Sequence, residues 1–239
     1  MKMKQKHDLT LTQRAHMDVC ACATLNVLVA CEESQAECEA FRALGCNAFS
    51  CDLQACRKGG HPEWHIQDDC LPYLRGETHF RTMDGVNRCV PSWDLIIAHP
   101  PCTYLCKVSS VQLVKWIDGV AWLNEERLQR MYDAADFFRE CLAANAPYVA
   151  VENPLPMSRA GLPKPSFFAC PSWFGVKYSK KTLYWVKNLP PLIATMDFPN
   201  PKEFVRSSRG KYRSRTFPEL ARAIASQWTE YIMKDLHKK

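Results

Sequence analysis

Short apolar runs rich in β-branched residues alternate with helix-like segments along most of this chain, and this alternation limits the folds open to it. Four runs have the length and composition of buried strands: residues 26–30, 47–51, 93–98 and 147–151. Three segments have helical character: residues 33–44, 124–142 and 218–236. The pattern predicts an α/β fold, with a mostly parallel, Rossmann-like sheet flanked by helices. We expect one domain over residues 26–236, after a loosely ordered leader over residues 1–25.

Local signals sharpen two of these elements and add a third. Asn124 is predicted to cap the long helix, because asparagine accepts hydrogen bonds from the first free N–H groups of a helix. Residues 174–186 are predicted to form a hairpin or a strand pair. The last helix is predicted to place four apolar side chains on one face: Leu220, Ile224, Trp228 and Tyr231.

Composition excludes several classes of protein. The 239 residues are 47% apolar and 23% charged, which is near the globular average and unlike a disordered chain or a coiled coil. No run approaches the ~18 uncharged apolar residues of a membrane span, and the first 18 residues lack the apolar core of a signal peptide. We expect a cytoplasmic protein, in the host cytoplasm if a phage encodes it. Its 13 cysteines are then predicted to be mainly reduced thiols.

Positive charge is concentrated late in the chain. The Pro-rich stretch 155–215 contains twelve Lys and Arg against Asp197 and Glu203, a local balance of +10 in a chain of net charge +6. The densest run lies within residues 206–215, where serine, glycine and tyrosine separate the basic residues. Such a stretch is suited to a phosphate backbone, so we expect a polyanionic partner. The alternative is a solvated surface loop.

Three chemically capable side chains stand at predicted strand ends, namely Asp52, Cys102 and Glu152. In open α/β sheets, ligands bind beyond the carboxyl ends of the strands, so we expect the three to converge. The prolines before Cys102 stiffen its loop, and a thiolate there would be a nucleophile. Glu152 would be partly desolvated and able to act as an acid near neutral pH. The plainer alternatives are a buried thiol for Cys102, and a helix cap or an arginine partner for Glu152.

A cluster of thiols and imidazoles near the second strand leaves two interpretations open. Its members fall within 20 residues: Cys51, Cys56, His61, His65 and Cys70. Sulfur and imidazole nitrogen are zinc ligands, but this spacing is not that of a standard zinc finger. Core thiols and hydrogen-bonded loop histidines are the alternative.

Two segments resemble the cytosine-5 DNA methyltransferase family. They are the run from Trp93 to Cys102, which ends in His-Pro-Pro-Cys, and Val151-Glu152-Asn153. More narrowly, the chain is similar to small phage-type members of that superfamily and lacks their target-recognition domain, since about 20 residues remain where one would be inserted. The resemblance implies S-adenosylmethionine as cofactor, and DNA, including single-stranded DNA, as the partner of the basic stretch 155–215. It also implies that Cys102 attacks carbon 6 of cytosine while Glu152 protonates ring nitrogen N3.

Further roles follow from the same resemblance. Asp52 matches the acid that binds the ribose hydroxyls of the cofactor, and Asp69 matches the acid at its adenine amino group, with Asp68 as a rival. Glu32 and Pro100 complete the implied cofactor site. Lys180 and Lys181 fall where the family places a basic target-binding residue. The other implied substrate-binding residues are Pro101, Asn153, Arg213 and Arg215.

The first loop departs from the family pattern. The family has a glycine-rich loop after its first strand, whereas residues 30–35 contain no glycine and two adjacent acids, Glu32 and Glu33. The sequence therefore leaves three functions open. The first is a DNA cytosine carbon-5 methyltransferase of little sequence specificity. The others are a non-catalytic nucleic-acid- or nucleotide-binding derivative, such as a phage accessory or anti-defence factor, and an enzyme that modifies a free pyrimidine nucleotide. A protein partner or a homodimer also stays open.

Overall fold

A computed structural model describes residues 24–196, 202–203 and 216–238 of the chain. The predicted leader lies almost wholly outside these residues. The strands are β1 (Asn26–Ala30), β2 (Asn47–Asp52), β3 (His65–Gln67), β4 (His79–Arg81), β5 (Asn87–Cys89), β6 (Leu95–Ala98), β7 (Val114–Ile117), β8 (Val120–Leu123), β9 (Tyr148–Asn153), β10 (Phe167–Ala169), β11 (Tyr178–Ser179), β12 (Thr182–Lys187) and β13 (Lys202–Glu203). The α-helices are α1 (Ala36–Ala43), α2 (Leu71–Leu74), α3 (Glu125–Leu142) and α4 (Pro218–Leu236).

Seven strands form the central sheet in the order β10-β12-β9-β6-β1-β2-β3. The five strands from β9 to β3 are parallel, while β12 runs antiparallel to both β9 and β10. The predicted α/β architecture with a mostly parallel, helix-flanked sheet is therefore confirmed. The predicted hairpin over residues 174–186 is wrong, because β12 joins the central sheet and β11 pairs with β13 instead.

The strand order creates a switch point in the middle of the sheet. From β1 the chain moves outward through β2 to β3, and it then returns to β6 on the other side of β1 before continuing to β9. The loops after β1 and β6 therefore leave the sheet in opposite directions. A crevice opens between such loops at the carboxyl ends of the strands, and this is where doubly wound sheets bind ligands.

Alternation along the strands divides the apolar core into two layers. In β1, Leu28 and Ala30 face α3, whereas Val27 and Val29 face α1 and α4. All four side chains are completely buried, as expected for a central parallel strand covered on both faces. The sheet is therefore the middle layer of three, and its carboxyl edge is the part left for a ligand.

Helix α1 is shorter than predicted, since it begins at Ala36 rather than at residue 33. Gln35 precedes it with a φ of 59°, a left-handed conformation that cannot continue a right-handed helix. Helix α4 has the predicted bounds, but its buried face differs by one position. Tyr231 is 39% exposed, and Ile232 is buried one turn after Trp228.

The predicted N-cap of α3 is confirmed. The Oδ1 atom of Asn124 accepts a hydrogen bond from the backbone N–H of Arg127 at 3.2 Å. We expect Asn124→Ala to lower the free energy of unfolding by about 1 kcal/mol, because that N–H would lose its acceptor. Denaturant unfolding would measure the change. Asn124→Asp, which keeps an acceptor, should lose much less, and equal losses in the two variants would contradict the capping role.

The β7–β8 hairpin lies between the Cys102 loop and α3. Its turn, Asp118-Gly119, has positive φ at both positions, as a two-residue hairpin turn requires. Trp116 and Trp122 are 73% and 57% exposed, and Lys115 lies directly opposite Trp122. Large exposed apolar patches commonly mark interaction sites.

Within the described parts of the chain, every helix is too short or too polar to cross a bilayer.

Candidate functional site

The Cys102 loop begins where β6 ends, at the switch point of the sheet. Pro100 and Pro101 carry the chain outward from the buried strand, and Cys102 is exposed on the loop. The carbonyl oxygen of Cys102 accepts hydrogen bonds from the N–H groups of Leu105 and Cys106, at 3.1 and 3.0 Å, which fold the following residues into a turn. The thiol is thus held by a local, backbone-bonded turn.

The Glu152 motif ends the neighbouring strand β9. The Asn153 side chain is buried, and its Nδ2 atom donates a 2.8 Å hydrogen bond to the carbonyl oxygen of Pro100. This bond ties the two loops together across the edge of the sheet. Asn153 therefore positions the Cys102 and Glu152 motifs relative to each other, a role that its assignment to substrate binding did not include.

Glu152 belongs to a buried charged group that we call the glutamate–histidine centre, formed by Glu37, His99 and Glu152. The Nδ1 atom of His99 lies 3.4 Å from Oε2 of Glu152, and its Nε2 atom lies 3.3 Å from Oε2 of Glu37. The Glu37 side chain is completely buried, and the other two are 11% and 18% exposed. The hydroxyl of Thr216 donates to Oε1 of Glu37 at 3.3 Å.

The charges of this centre shift the proton affinities of its members. Burial alone would lower the pKa of His99, but Glu37 and Glu152 outweigh it and raise the pKa well above the ordinary value. Burial would raise the pKa of Glu152, but the hydrogen bond with His99 and the charge of Lys180 lower it below its usual value. These shifts favour an imidazolium at His99 beside an ionised Glu152 carboxylate.

The surroundings of Cys102 favour its neutral form, in contrast to the charged forms favoured at His99 and Glu152. Desolvation raises its pKa, the nearby sulfur of Cys106 and carboxylate of Glu152 add to this effect, and Lys180 only partly opposes it. Cys102 is therefore a thiol, not a preformed thiolate, before a ligand binds. A reaction that needs the thiolate must remove this proton.

A small pocket opens directly over Glu152. Its lining combines polar and apolar groups: Glu152, Pro171, Lys180, Thr182, Tyr184, Thr216, Phe217 and Leu220. Of the two predicted target-binding lysines, Lys180 lines this pocket. The ammonium of Lys181 lies instead over the ring of Phe168, 4.3 Å from its centre. The structure thus brings Lys180, and not Lys181, to Glu152.

The loop after β1 has left-handed conformations without glycine. Cys31 and Gln35 have φ values of 60° and 59°, in the region that glycine favours. The Gln35 amide is buried, and its Oε1 accepts from the N–H of His61 at 2.7 Å. A Cβ atom on Gly60 would lie 2.4 Å from that Oε1, so the close packing of this loop against Gln35 requires glycine at position 60.

Glu32, a predicted cofactor ligand, turns inward. Its carboxylate accepts hydrogen bonds from the N–H groups of Glu37 and Cys38, at 2.7 and 3.2 Å, and so caps the start of α1. Burial, reinforced by Glu37, raises the pKa of Glu32 to about 8. The geometry therefore gives Glu32 a structural role and leaves it 4% exposed.

Asp52 and Asp69 lie beyond the carboxyl ends of β2 and β3, on the same edge of the sheet as the crevice. Each carboxylate accepts one local backbone hydrogen bond, from Gln54 to Asp52 at 2.9 Å and from Leu71 to Asp69 at 3.0 Å. Asp68, the rival of Asp69, is already bonded to the Tyr73 hydroxyl at 3.2 Å. Asp52 and Asp69 thus keep acceptor capacity for a ligand.

The thiols and imidazoles near β2 do not converge on one point. His65 is held by the Ser50 hydroxyl and by the carbonyl oxygen of Gln54, at 2.8 and 2.9 Å. The His61 ring stacks on Trp64 with its centre 3.7 Å away. Among the described residues, no three His, Cys, Asp or Glu side chains are placed to hold a metal ion. This arrangement favours the hydrogen-bonded alternative over zinc.

The comparison with known proteins adds nothing to this geometry, because no protein-family model and no curated protein matches the chain. Two predicted substrate-binding residues, Arg213 and Arg215, lie outside the described residues, as does the whole basic run over 206–215. Sequence reasoning missed His99 and Glu37. His99 stood inside the quoted motif, but nothing in the sequence indicated that a helix would bring Glu37 against it.

Proposed function

We propose that this protein is a cytosine carbon-5 methyltransferase of the S-adenosylmethionine-dependent, class I type, and that it acts on DNA. One observation carries the proposal: the Cys102 loop follows β6, Glu152 lies near the end of the neighbouring parallel strand β9, and the Asn153–Pro100 hydrogen bond holds the two motifs together. A nucleophile and an acid that act on the same ring must face it together. The position of both at the switch point of the sheet supports a ligand site there.

In this mechanism Cys102 first loses its proton to solvent, with which its loop is in contact. Its sulfur then bonds to carbon 6 of cytosine, while the pair of electrons from the C5–C6 double bond is drawn toward N3, which takes up a proton at Glu152. Carbon 5 becomes nucleophilic. When bound, S-adenosylmethionine would supply the electrophilic methyl group that bonds to carbon 5. Loss of the carbon 5 proton to water then restores the C5–C6 double bond and expels Cys102 as a thiolate, and N3 returns its proton to Glu152.

The residues at the crevice fit a cationic, hydroxyl-bearing cofactor in part. Asp52 and Asp69 offer carboxylate oxygens to ribose hydroxyls and to an amino group, as the family resemblance implies. Pro100, on the adjoining loop, is buried, and its carbonyl oxygen already accepts the Asn153 amide. Glu32 fits less well, since both of its oxygens accept backbone hydrogen bonds. We therefore assign cofactor binding chiefly to Asp52 and Asp69.

Nucleic acid, rather than a free nucleotide, is supported by two surfaces. Lys180 lines the pocket at Glu152 and belongs to the basic 155–215 stretch, which is suited to phosphate contacts. The β7–β8 hairpin presents Trp122 opposite Lys115, and an aromatic ring beside a cation is a common platform for unpaired bases. We therefore propose that the nucleic acid contacts both Lys180 and the β7–β8 hairpin.

A second function is favoured by one observation, that both carboxylate oxygens of Glu32 accept backbone hydrogen bonds at the start of α1. A thiol that stays protonated, combined with a Glu32 that is used as a helix cap, would suit a methyltransferase-derived protein that binds nucleic acid without modifying it. In that case, changes at Cys102 and Glu152 would leave DNA affinity intact, and no cofactor would bind.

A combined measurement decides between these functions. We expect calorimetric titration with S-adenosylmethionine to give a micromolar dissociation constant, and Asp52→Asn to weaken it about tenfold through loss of one charge-assisted hydrogen bond. Tritium at carbon 5 of cytosine in single-stranded DNA should be released to water only when cofactor is present. Gln54→Ala, next to Asp52 but without its carboxylate, is the control. Absence of binding at millimolar cofactor would refute the methyltransferase.

Cytidine nucleotides provide the test of substrate size. If DNA is the substrate, low concentrations of cytidine monophosphate should leave tritium release from the polymer unchanged. Competition at concentrations comparable with those of DNA cytosine would instead identify a free pyrimidine nucleotide as the substrate.

A further inference from the structure

The glutamate–histidine centre raises a question that the proposed mechanism leaves open. Glu152 must give a proton to N3, yet the charges around it keep its carboxylate ionised. His99, whose Nδ1 lies 3.4 Å from Glu152, is a group in contact with this carboxylate that can hold a proton. The proton that the mechanism needs is therefore held by His99, which contacts Glu152 and not the base.

We propose that His99 stores the proton that Glu152 delivers to the substrate, and that Glu37 is the buried counter-charge that keeps this proton on His99. The inference rests on the proposed function and deepens it. His99 and Glu37 are positioning residues, because neither is placed to touch the base. Glu152 remains the catalytic residue at the substrate.

The contacts indicate that His99 holds a proton and does not merely support Glu152 structurally. In the described residues, Oε2 of Glu37 and Nε2 of His99 are buried and lack a well-aligned hydrogen bond, although they lie 3.3 Å apart. Two such atoms would be costly to bury as neutral groups with no partner, whereas an imidazolium and a carboxylate attract each other at this distance. The pair thus favours the charged, proton-bearing form of His99.

The charged groups around His99 come from each element packed against it. Glu37 approaches from α1 and Glu152 from β9. Glu32, in the loop after β1, is a buried carboxyl whose raised pKa favours its neutral form, and the charge of Lys180, between β11 and β12, acts on Glu152. Glu37 and Glu152 thus supply the negative charge at His99.

The proton moves in a closed cycle. As the sulfur of Cys102 bonds to carbon 6, the proton on Nδ1 of His99 passes to one oxygen of Glu152, and Glu152 gives a proton to N3. His99 is then neutral beside the Glu37 carboxylate. When the carbon 5 proton leaves and the bond to Cys102 breaks, N3 returns its proton to Glu152 and His99 is recharged. No net proton is consumed at the centre.

The state of His99 can be measured without any reaction. In protein labelled with ¹⁵N at its seven histidines, the signal lost in His99→Gln identifies this ring. We expect the wild-type ring to stay doubly protonated at pH 8, where an unperturbed imidazole, with a pKa of about 6.5, is neutral. Glu37→Gln should convert it to the neutral form. A neutral His99 in the wild-type protein at pH 7 would overturn the proposal.

Kinetics provide the second readout. Single-turnover tritium release should follow a bell-shaped pH profile, with a rising limb from ionisation of Cys102 and a falling limb from loss of the His99 proton. His99→Gln keeps hydrogen-bonding capacity toward both glutamates but carries no transferable proton. We therefore expect the single-turnover rate to fall about 100-fold and the pH profile to lack its falling limb. Full activity in this variant would overturn the proposal.

Failure of the proposed function would be recognised separately. If wild-type protein releases no tritium from cytosine in any substrate, the methyltransferase assignment is refuted, and with it delivery of the proton to N3. The ¹⁵N spectrum would still show whether His99 holds a proton beside Glu152. A charged His99 with active wild-type protein and an inactive His99→Gln variant is the combination that the proposal predicts.

Discussion

Replacing Cys102 by alanine should abolish methyl transfer, with a loss of at least ~10⁴-fold in the single-turnover rate, as expected when a covalent nucleophile is removed. Without the sulfur, carbon 5 of cytosine never becomes nucleophilic, so cofactor and substrate would bind side by side and not react. The measurement is tritium release from carbon 5, with cofactor affinity determined in parallel by calorimetry. We expect the affinity to stay within a factor of two of the wild type.

Cys106 provides the matched control for this variant. It lies four residues further along the same turn, and its thiol is 3.6 Å from the hydroxyl of Ser109. Cys106→Ala removes the same group from the same loop without touching the assigned nucleophile. Wild-type activity is expected in this variant, together with a slight lowering of the pKa of Cys102, since Cys106 contributes to raising it. Retained transfer by Cys102→Ala would refute the mechanism.

Replacing Trp228 by alanine should cost about 3–5 kcal/mol of unfolding free energy. The ring is completely buried between the sheet and α4, it meets Tyr184 edge-on, and its Nε1–H donates to the carbonyl oxygen of Pro190 at 3.1 Å. The change would leave a large cavity and an unpaired carbonyl. Because small domains are stable by only about 5–15 kcal/mol, this single change would remove a large share of the total.

Tyr231 on the same helix is the control for this prediction. It is 39% exposed, three residues after Trp228, so its truncation should change stability by less than about 0.5 kcal/mol. Urea or guanidinium unfolding of both variants, followed by circular dichroism, would measure the difference. Equal losses in the two variants would contradict the packing of α4 described above.

The sheet was predictable because the apolar composition of its central strands identifies them in the sequence. The run from Val27 to Ala30 is apolar throughout, and a strand covered on both faces explains four such residues so close to polar flanks. The strand at β12 was missed as part of the sheet, because its pairing with β9 joins residues about thirty positions apart. Periodicity reports which face of a strand is apolar but not which strand lies beside it.

The site was predictable only where chemistry and local sequence coincide. Cys102 and Glu152 follow apolar strands, so their arrival at one edge of the sheet follows from the parallel order alone. Glu37 gave no such signal, since an acid in the first turn of a helix is ordinarily a solvated partner of the helix dipole. It is buried because α1 lies under the β6 loop, a tertiary relation that the sequence does not encode locally.

The two helices that cover one face of the sheet come from opposite ends of the described chain. Helix α1 packs against α4, and Thr216, just before α4, reaches Glu37 on α1. During synthesis at about 5–20 residues per second, α1 would wait roughly 10–35 seconds for this partner. Until then Phe41 and its apolar neighbours lack their cover. We expect a nascent chain stopped before residue 218 to be bound by chaperones or to aggregate, whereas release of the full chain allows the layer to close.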